Sequence, residues 1–265
     1  MISVLTVNYR SGDELAGLLT SLREHPSNDA IEVIVCNNSP DEKLTLPECA
    51  NVEVRIIEAD NPGFGAGINL AFQHARGEFI FIANPDVRVQ SDTIDRAAEH
   101  LSREPTVGIV LPKIRYPDGE LQPSVRRFYT MPVVLYARSP FRGIRRTPGF
   151  FREYLYEDLN RDAAADVDWG IGAAMFLRRA DWPAEGPFDE RFFMYFEDVD
   201  LCLRAWQAGR RVTYCPDISC IHAHQRASRK ALSAAGFYHF HSLFRFIAKH
   251  RGLPQRPAAP VIRSA

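Results

Sequence analysis

Phe79-Ile80-Phe81-Ile82-Ala83-Asn84-Pro85-Asp86 is a run of apolar side chains that ends in an amide and a carboxylate. An unbroken apolar run of this length reads as a strand covered on both faces, the kind that builds parallel sheets. Ligands of such sheets sit at the carboxyl ends of the strands, and here the polar pair stands at that end. Alternate residues of an extended chain point the same way, so the oxygens of Asn84 and Asp86 are expected to face one ion. Mg²⁺ or Mn²⁺ held by one or two protein oxygens and by substrate phosphates is the usual arrangement for phosphate chemistry. A plain Asn-Pro-Asp turn is the competing reading, because these residues favour turns.

The segments before this strand repeat its rhythm. Residues 2–7, 31–36 and 52–57 read as strands. Residues 13–23 carry Leu15, Leu18, Leu19 and Leu22, the stripe of an amphipathic helix, and Pro26 stops it. Residues 67–75 read as a second helix with Gly77 as its stop. After the strand, residues 91–104 read as a helix capped by Ser91 or Asp92, and residues 107–111 as a fifth strand. The alternation predicts an α/β fold, an αβα sandwich around a mostly parallel sheet. The second half is less regular. Residues 112–168 read as loops with short helices, 172–178 and 211–215 as strands, and 199–208 and 237–250 as helices. The expected division is a body of residues 1–225 and a basic amphipathic helical tail of residues 226–265.

Composition narrows the class. Hydrophobic residues make up 46% and charged residues 25%, as in an ordinary globular protein. The chain opens directly into a strand-like run, so no secretory signal is expected, and no apolar run approaches a membrane span. Five cysteines without a CxxC pair fit free thiols in a reducing cytoplasm. The net charge of −1 conceals an asymmetry: no acidic residue follows Asp217, and eight of the 32 basic residues do. A basic end on an acidic body points to an anionic partner surface. Residues 125–152 add seven arginines and no acid among aromatic side chains such as Phe128, Tyr129 and Phe141. Arginine with aromatics suits a membrane interface or a lipid-diphosphate clamp, with a solvated charged face as the alternative. No nucleic-acid-binding motif accompanies the charge.

Further candidates gather at strand ends. The first strand ends in Thr6, Asn8 and Tyr9, the second in Asn37, Asn38 and Ser39. The glycine-rich stretch of residues 61–69, with Gly65 and Asn69, opens a helix. Its amides can approach a phosphate or a sugar, and close helix packing explains it equally well. Glu197, Asp198 and Asp200 begin a helix after Phe192-Phe193-Met194-Tyr195-Phe196. A helix N-terminus favours acidic residues, which accounts for Asp200. A carboxylate set in an apolar wall has a raised pKa and suits proton abstraction. His222 and His224 share a face of an extended segment, open to a metal or phosphate role or to none.

Taken together, these residues resemble glycosyltransferase family 2, with its GT-A fold, over about residues 1–250, and within it the bacterial rhamnosyltransferases. The resemblance implies an inverting transfer of L-rhamnose from dTDP-L-rhamnose to N-acetylglucosamine on undecaprenyl diphosphate, for O-antigen or cell-wall polysaccharide. A UDP-sugar donor or another saccharide acceptor on the same fold is the near alternative, and a non-catalytic sugar-nucleotide binder the far one. It also implies roles. Asp198 is the base, with Glu197 beside it. Asp86 and His222 hold a divalent metal, Mg²⁺ or Mn²⁺, and Asn84 replaces the first carboxylate of the family's D-x-D motif. Thr6, Asn8, Asn37, Gly65, Asn69 and Asn84 line the nucleotide-sugar site. Trp169 and Gly172 lie where the acceptor sugar rests. The expected partners are the nucleotide-sugar donor, the lipid-linked acceptor and the inner-leaflet membrane surface, with no nucleic acid, and the expected place is the cytoplasmic face of the inner membrane.

Overall fold

The computed structural model describes residues 1–47, 52–139, 146–223 and 234–257. Cys49, Phe141, His224, Arg226, Arg229, Lys230 and Arg263 lie outside the described residues. The first half follows the expected alternation: β1 (Ile2–Asn8), α1 (Gly12–Glu24), β2 (Ile31–Asn37), β3 (Val52–Glu58), α2 (Phe64–Gln73), β4 (Phe79–Ala83), β5 (Val87–Val89), α3 (Thr93–Arg103) and β6 (Val107–Arg115). The second half contains β7 (Val125–Arg126), α4 (Met131–Arg138), α5 (Gly149–Tyr154), β8 (Ala165–Asp166), β9 (Trp169–Gly170), β10 (Ala174–Arg178), α6 (Glu197–Gln207), β11 (Arg211–His222) and α7 (Ala234–His250).

The main sheet runs β3-β2-β1-β4-β10-β6-β11-β5, with β8 paired to β11. β3, β2, β1 and β4 are mutually parallel, and β6 is parallel to β11. β10 enters antiparallel between β4 and β6. Every residue of β1, β2 and β4 is buried, as their continuous apolar runs predict, because helices cover both faces. On one face Leu15, Leu18 and Leu22 of α1 pack with Ile94, Ala97 and Leu101 of α3. On the other, Ile68 and Phe72 of α2 pack with Leu201 and Trp206 of α6 and with Leu243 and Phe246 of α7. β3 is the outer strand, and its alternating exposure matches its charged side chains.

The structure departs from the sequence expectations in four places. Asn84-Pro85-Asp86 is not extended: the Val87 N–H donates to the Asn84 carbonyl at 3.1 Å, closing a turn between β4 and β5. Asp86 is therefore aimed by the turn and not by strand alternation. β11 continues through Pro216 to His222, because a register shift between Cys215 and Ser219 absorbs the proline while pairing with β6 resumes beyond it. Residues 112–115 extend β6, and β5 was concealed by its three-residue length. Helix α7 is docked on the body: Phe246 is 0% exposed, and Lys249 Nζ and His250 Nε2 reach Asp200 Oδ1 at 2.5 and 2.7 Å.

Candidate active site

Two amides meet where β1 and β2 end in register at Asn8 and Asn37. Asn8 Nδ2 donates to Asn37 Oδ1 at 2.9 Å and to Glu42 Oε2 at 2.7 Å. Asn37 Nδ2 donates to Glu58 Oε2 at 2.8 Å. Thr6 is fully buried in β1, and its hydroxyl has no hydrogen-bond partner among the described residues. Glu42 and Glu58 went unnoticed in the sequence. Glu58 closes β3, so the strand-end rule that found Asn8 and Asn37 would also have found it. Glu42 lies in a loop with no periodic signal.

The second cluster is Asp86, His222 and Gln122. His222 Nε2 stands 3.2 Å from Asp86 Oδ1, and His222 Nδ1 lies 2.9 Å from Gln122 Oε1. An amide oxygen can only accept, so the Nδ1–H of His222 donates to it and Nε2 is left facing the carboxylate. At this distance a proton or a cation between Nε2 and the carboxylate oxygen holds the two groups together. Neighbouring ligands on metal bonds of about 2.1 Å at right angles lie about 3 Å apart, close to the observed spacing. Gln122 is the outer partner that fixes the ring, and the sequence offered no sign of it. Among the described residues no third His, Cys, Asp or Glu completes a metal cage. The remaining positions suit phosphate and water, as is usual for a small hard cation. The pair fits a divalent metal on these grounds.

The third cluster sits at the start of α6. Tyr195 and Phe196 both have φ of 67°. Non-glycine residues held in the left-handed region each cost on the order of 1–3 kcal/mol and persist only under strong packing. Phe196 is packed against Tyr129, His239 and Phe246, with ring centroids 5.1, 5.0 and 5.5 Å away. The strained turn delivers Glu197 and Asp198 together. Asp198 Oδ2 accepts the Gly172 N–H at 3.1 Å, and Oδ1 accepts the Val199 N–H at 2.8 Å. Burial raises the Asp198 pKa, while the two backbone N–H groups and then the Arg126 charge pull it down. Glu197 is pushed well above the usual carboxylate range, first by burial and then by the negative charge of Asp198. Its Oε2 is buried without a hydrogen-bond partner. The environments thus separate the pair: a neutral Glu197 and an Asp198 that can ionise and take a proton.

The clusters share one rim. The Asn84 N–H donates to the Ala173 carbonyl at 2.8 Å, and the next residue back, Gly172, holds Asp198. The Asn84–Asp86 turn and the Asp198 carboxylate are thereby joined through two consecutive backbone units. Gly63 and Gly65 close the loop above them. Gly63 has φ of 101°, and a Cβ there would fall 2.4 Å from the Phe193 carbonyl oxygen. A Cβ on Gly65 would lie 3.1 Å from Phe188 Cβ, so this glycine serves close packing. Asn69 is buried in α2, where its amide accepts from Phe188 N–H at 3.0 Å and donates to the Phe188 carbonyl at 2.9 Å. Trp169 is also buried. Its indole N–H donates to the Arg127 carbonyl at 2.8 Å, and its ring stacks on Tyr129.

Comparison with known proteins follows the same lines. The family model described as Glycosyl transferase family 2 matches residues 3–179. An N-acetylglucosaminyl-diphospho-decaprenol L-rhamnosyltransferase of Mycobacterium tuberculosis is 29% identical over 285 residues, covering 100% of this chain and 90% of that protein. Rhamnosyltransferase WbbL of Escherichia coli K12 is 29% identical over 266 residues, with 97% of this chain and 96% of its own length covered. Among solved structures, mannosyltransferase PcManGT of Pyrobaculum calidifontis, in complex with GDP-Man and Mn²⁺, superposes with a TM-score of 0.61 at 17% identity, over 98% of this chain and 65% of its own. GalNAc-T7 with UDP, GalNAc and Mn²⁺ superposes with a TM-score of 0.63 at 14% identity, over 88% of this chain and 46% of its own. The chain spans less than two thirds of either structure, and these two likenesses bear on the fold alone.

Proposed function

Because this chain belongs to glycosyl transferase family 2, we propose that it is an inverting rhamnosyltransferase. It moves L-rhamnose from dTDP-L-rhamnose to N-acetylglucosamine carried on undecaprenyl diphosphate, in O-antigen or cell-wall polysaccharide synthesis. The observation that carries the reading is Asp198: a carboxylate with a raised pKa, oriented by two backbone N–H groups at the sheet rim where Asp86 also stands. Two rhamnosyltransferase relatives aligned over nearly the whole chain support the sugar, and one of them supports the lipid-diphosphate acceptor.

The residues divide the work. Asn8 and Asn37, braced by Glu42 and Glu58, receive the nucleoside, with Thr6 behind them. Asn84 and the loop of Gly65 and Asn69 border the donor sugar. Asp198 takes the proton of the acceptor hydroxyl. The freed oxygen attacks the anomeric carbon from the face opposite the nucleotide, and the bond to the diphosphate breaks with its electron pair leaving on the phosphate oxygen. Glu197, held neutral, keeps a second negative charge away from that oxygen. Gly172 orients the base, and Trp169 backs the acceptor wall. Asp86 and His222 would hold Mg²⁺ or Mn²⁺, which when bound neutralises charge on the departing diphosphate.

The acceptor's lipid calls for a protein surface that meets a bilayer. Among the described residues no helix is long and apolar enough to cross a membrane. On α7, Phe237, Phe240 and Phe244 are 69%, 43% and 68% exposed along one face, and exposed Arg245 and Arg251 flank them. Aromatic rings beside cations, on a chain without acid after Asp217, match an anionic lipid surface. The enzyme therefore works on the cytoplasmic face of the inner membrane.

The test is a panel of nucleotide sugars with a lipid-linked N-acetylglucosaminyl diphosphate acceptor, read by nucleoside diphosphate release. Release from dTDP-L-rhamnose above all others is expected. Preference for a UDP-sugar would reject the donor, and silence on every donor would reject the activity.

A further inference from the structure

Arg126 is near enough to Asp198 for their charges to act on each other, yet it belongs neither to the nucleotide pocket nor to the Asp86–His222 pair. Its backbone is fixed by pairing of β7 with β9, where it faces Trp169 in register. Its guanidinium carbon lies 5.2 Å from the Trp169 ring centroid and 5.9 Å from that of Tyr154. The Tyr154 ring lies 5.3 Å from that of Tyr129, and Tyr129 stacks on Trp169 with centroids 5.6 Å apart. Two aromatic rings thus face the cation, and Tyr129 packs against both of them.

What this cation lacks is an anion in direct contact. Several half-buried arginines of this protein have their charge or donors engaged: Arg204 on Asp200 at 2.7 Å, Arg178 on Asp181 at 2.7 Å, Arg161 on the carbonyls of Leu155 and Tyr156 at 2.9 and 2.8 Å. Arg179, whose guanidinium lies over the Phe72 ring, shares with Arg126 a buried Nε without a partner. No carboxylate among the described residues lies within 4.0 Å of the Arg126 guanidinium, and its Nε is buried without a hydrogen-bond partner. A guanidinium carries five N–H donors in a planar fork, and burying them unsatisfied is costly. The fork matches the paired oxygens of a phosphate. Direction also matters. An inverting displacement is in line, so the acceptor lies on the Asp198 side of the anomeric carbon and the departing diphosphate on the other.

We propose that Arg126, held between Trp169 and Tyr154 with Tyr129 behind them, is a binding site for a phosphate oxyanion of the acceptor, which sets the acceptor hydroxyl against Asp198. The proposal rests on the reading of Asp198 as the base and of a sugar-diphosphate acceptor. It adds a residue that selects acceptors carrying phosphate next to the sugar.

The experiment compares two acceptors in the full-length enzyme: alkyl N-acetylglucosaminyl diphosphate and the matching alkyl N-acetylglucosaminide without phosphate. Arg126→Gln is expected to raise KM for the diphosphate acceptor roughly ten- to hundredfold, the scale of a charge-assisted phosphate contact. KM for the phosphate-free acceptor stays within twofold, donor affinity by thermal shift stays at the parental value, and Arg126→Lys recovers part of the loss. An equal rise with both acceptors overturns the proposal, as does a rise confined to the donor, which would place the donor's diphosphate there. A displaced pH profile with unchanged acceptor KM overturns it too, since Arg126 would then act only on Asp198. Should Arg126→Gln fail to fold, inorganic pyrophosphate on the parent enzyme decides: competition with the acceptor supports the subsite, and competition with the donor alone rejects it. A parent enzyme inert toward every nucleotide sugar defeats the functional reading itself, whereas an active parent with an indifferent Arg126→Gln defeats the subsite alone.

Discussion

Replacing Asp198 by Asn tests the base directly, because the substitution preserves shape and removes only the charge and the proton acceptor. The two carboxylate oxygens each accept one backbone N–H, from Gly172 at 3.1 Å and Val199 at 2.8 Å. Asn offers one oxygen, so one of those N–H groups would face an NH₂ donor. Leaving a buried donor unsatisfied costs about 1–3 kcal/mol. Against this stands the removal of a buried charge, which burial disfavours. The two effects oppose each other, and a melting temperature within a few degrees of the parent is expected. Catalysis has no such offset. A positioned general base contributes about 10²- to 10⁴-fold, or about 3–5 kcal/mol at 1.36 kcal/mol per decade. The assay is nucleoside diphosphate release under saturating donor and acceptor, with nucleotide-sugar binding followed separately by thermal shift. Loss of turnover by that factor with binding retained is the expected result. Turnover within about threefold of the parent, an energy difference of about 0.7 kcal/mol, would refute the role of Asp198.

Other consequences are as concrete. The acid limb of the rate profile should lie above the ordinary aspartate pKa, because burial raises that of Asp198; a limb at or below the ordinary value rejects the buried-base assignment. Folding favours the protonated forms of Glu197 and Asp198, so their contribution to stability is complete below the unfolded carboxylate pKa and is lost as pH rises toward the folded values. Denaturation of Glu197→Gln across pH should therefore show a gain over the parent that grows with pH, and a constant difference would contradict it. Gln122→Leu removes the hydrogen bond that orients His222 and should weaken Mn²⁺ affinity about 10- to 100-fold by titration; unchanged affinity removes His222 from the metal site. Gly63→Ala would bring a Cβ within 2.4 Å of the Phe193 carbonyl oxygen at φ of 101°, and urea denaturation should report a loss of at least about 1–3 kcal/mol. Serine at Phe237, Phe240 and Phe244 should reduce flotation with anionic vesicles by roughly tenfold per ring, from about 1.5 kcal/mol of apolar transfer each; flotation equal to the parent dismisses that face.

The layered α/β body was legible from the chain because its signals are local. Four or five apolar residues in a row require cover on both faces, and a leucine stripe at helical spacing requires one covered face. Strand ends then mark the rim, where Asn8 and Asn37 close their strands and Asp86 stands in the turn after β4. The acidic start of α6 was equally visible, since an aromatic run followed by Glu197 and Asp198 has no simple surface explanation. Tertiary structure alone decided the rest. Gln122 meets His222 across 100 residues of chain, and the charge of Arg126 reaches Asp198 from a strand, β7, that is fixed by pairing with β9. β10 turns antiparallel to place Gly172 under the base, and α7 joins the core through Phe246 and Asp200. Such partners leave no periodic trace, because a hydrogen bond or an ion pair depends on where two distant backbones come to rest and not on the residues that flank either one.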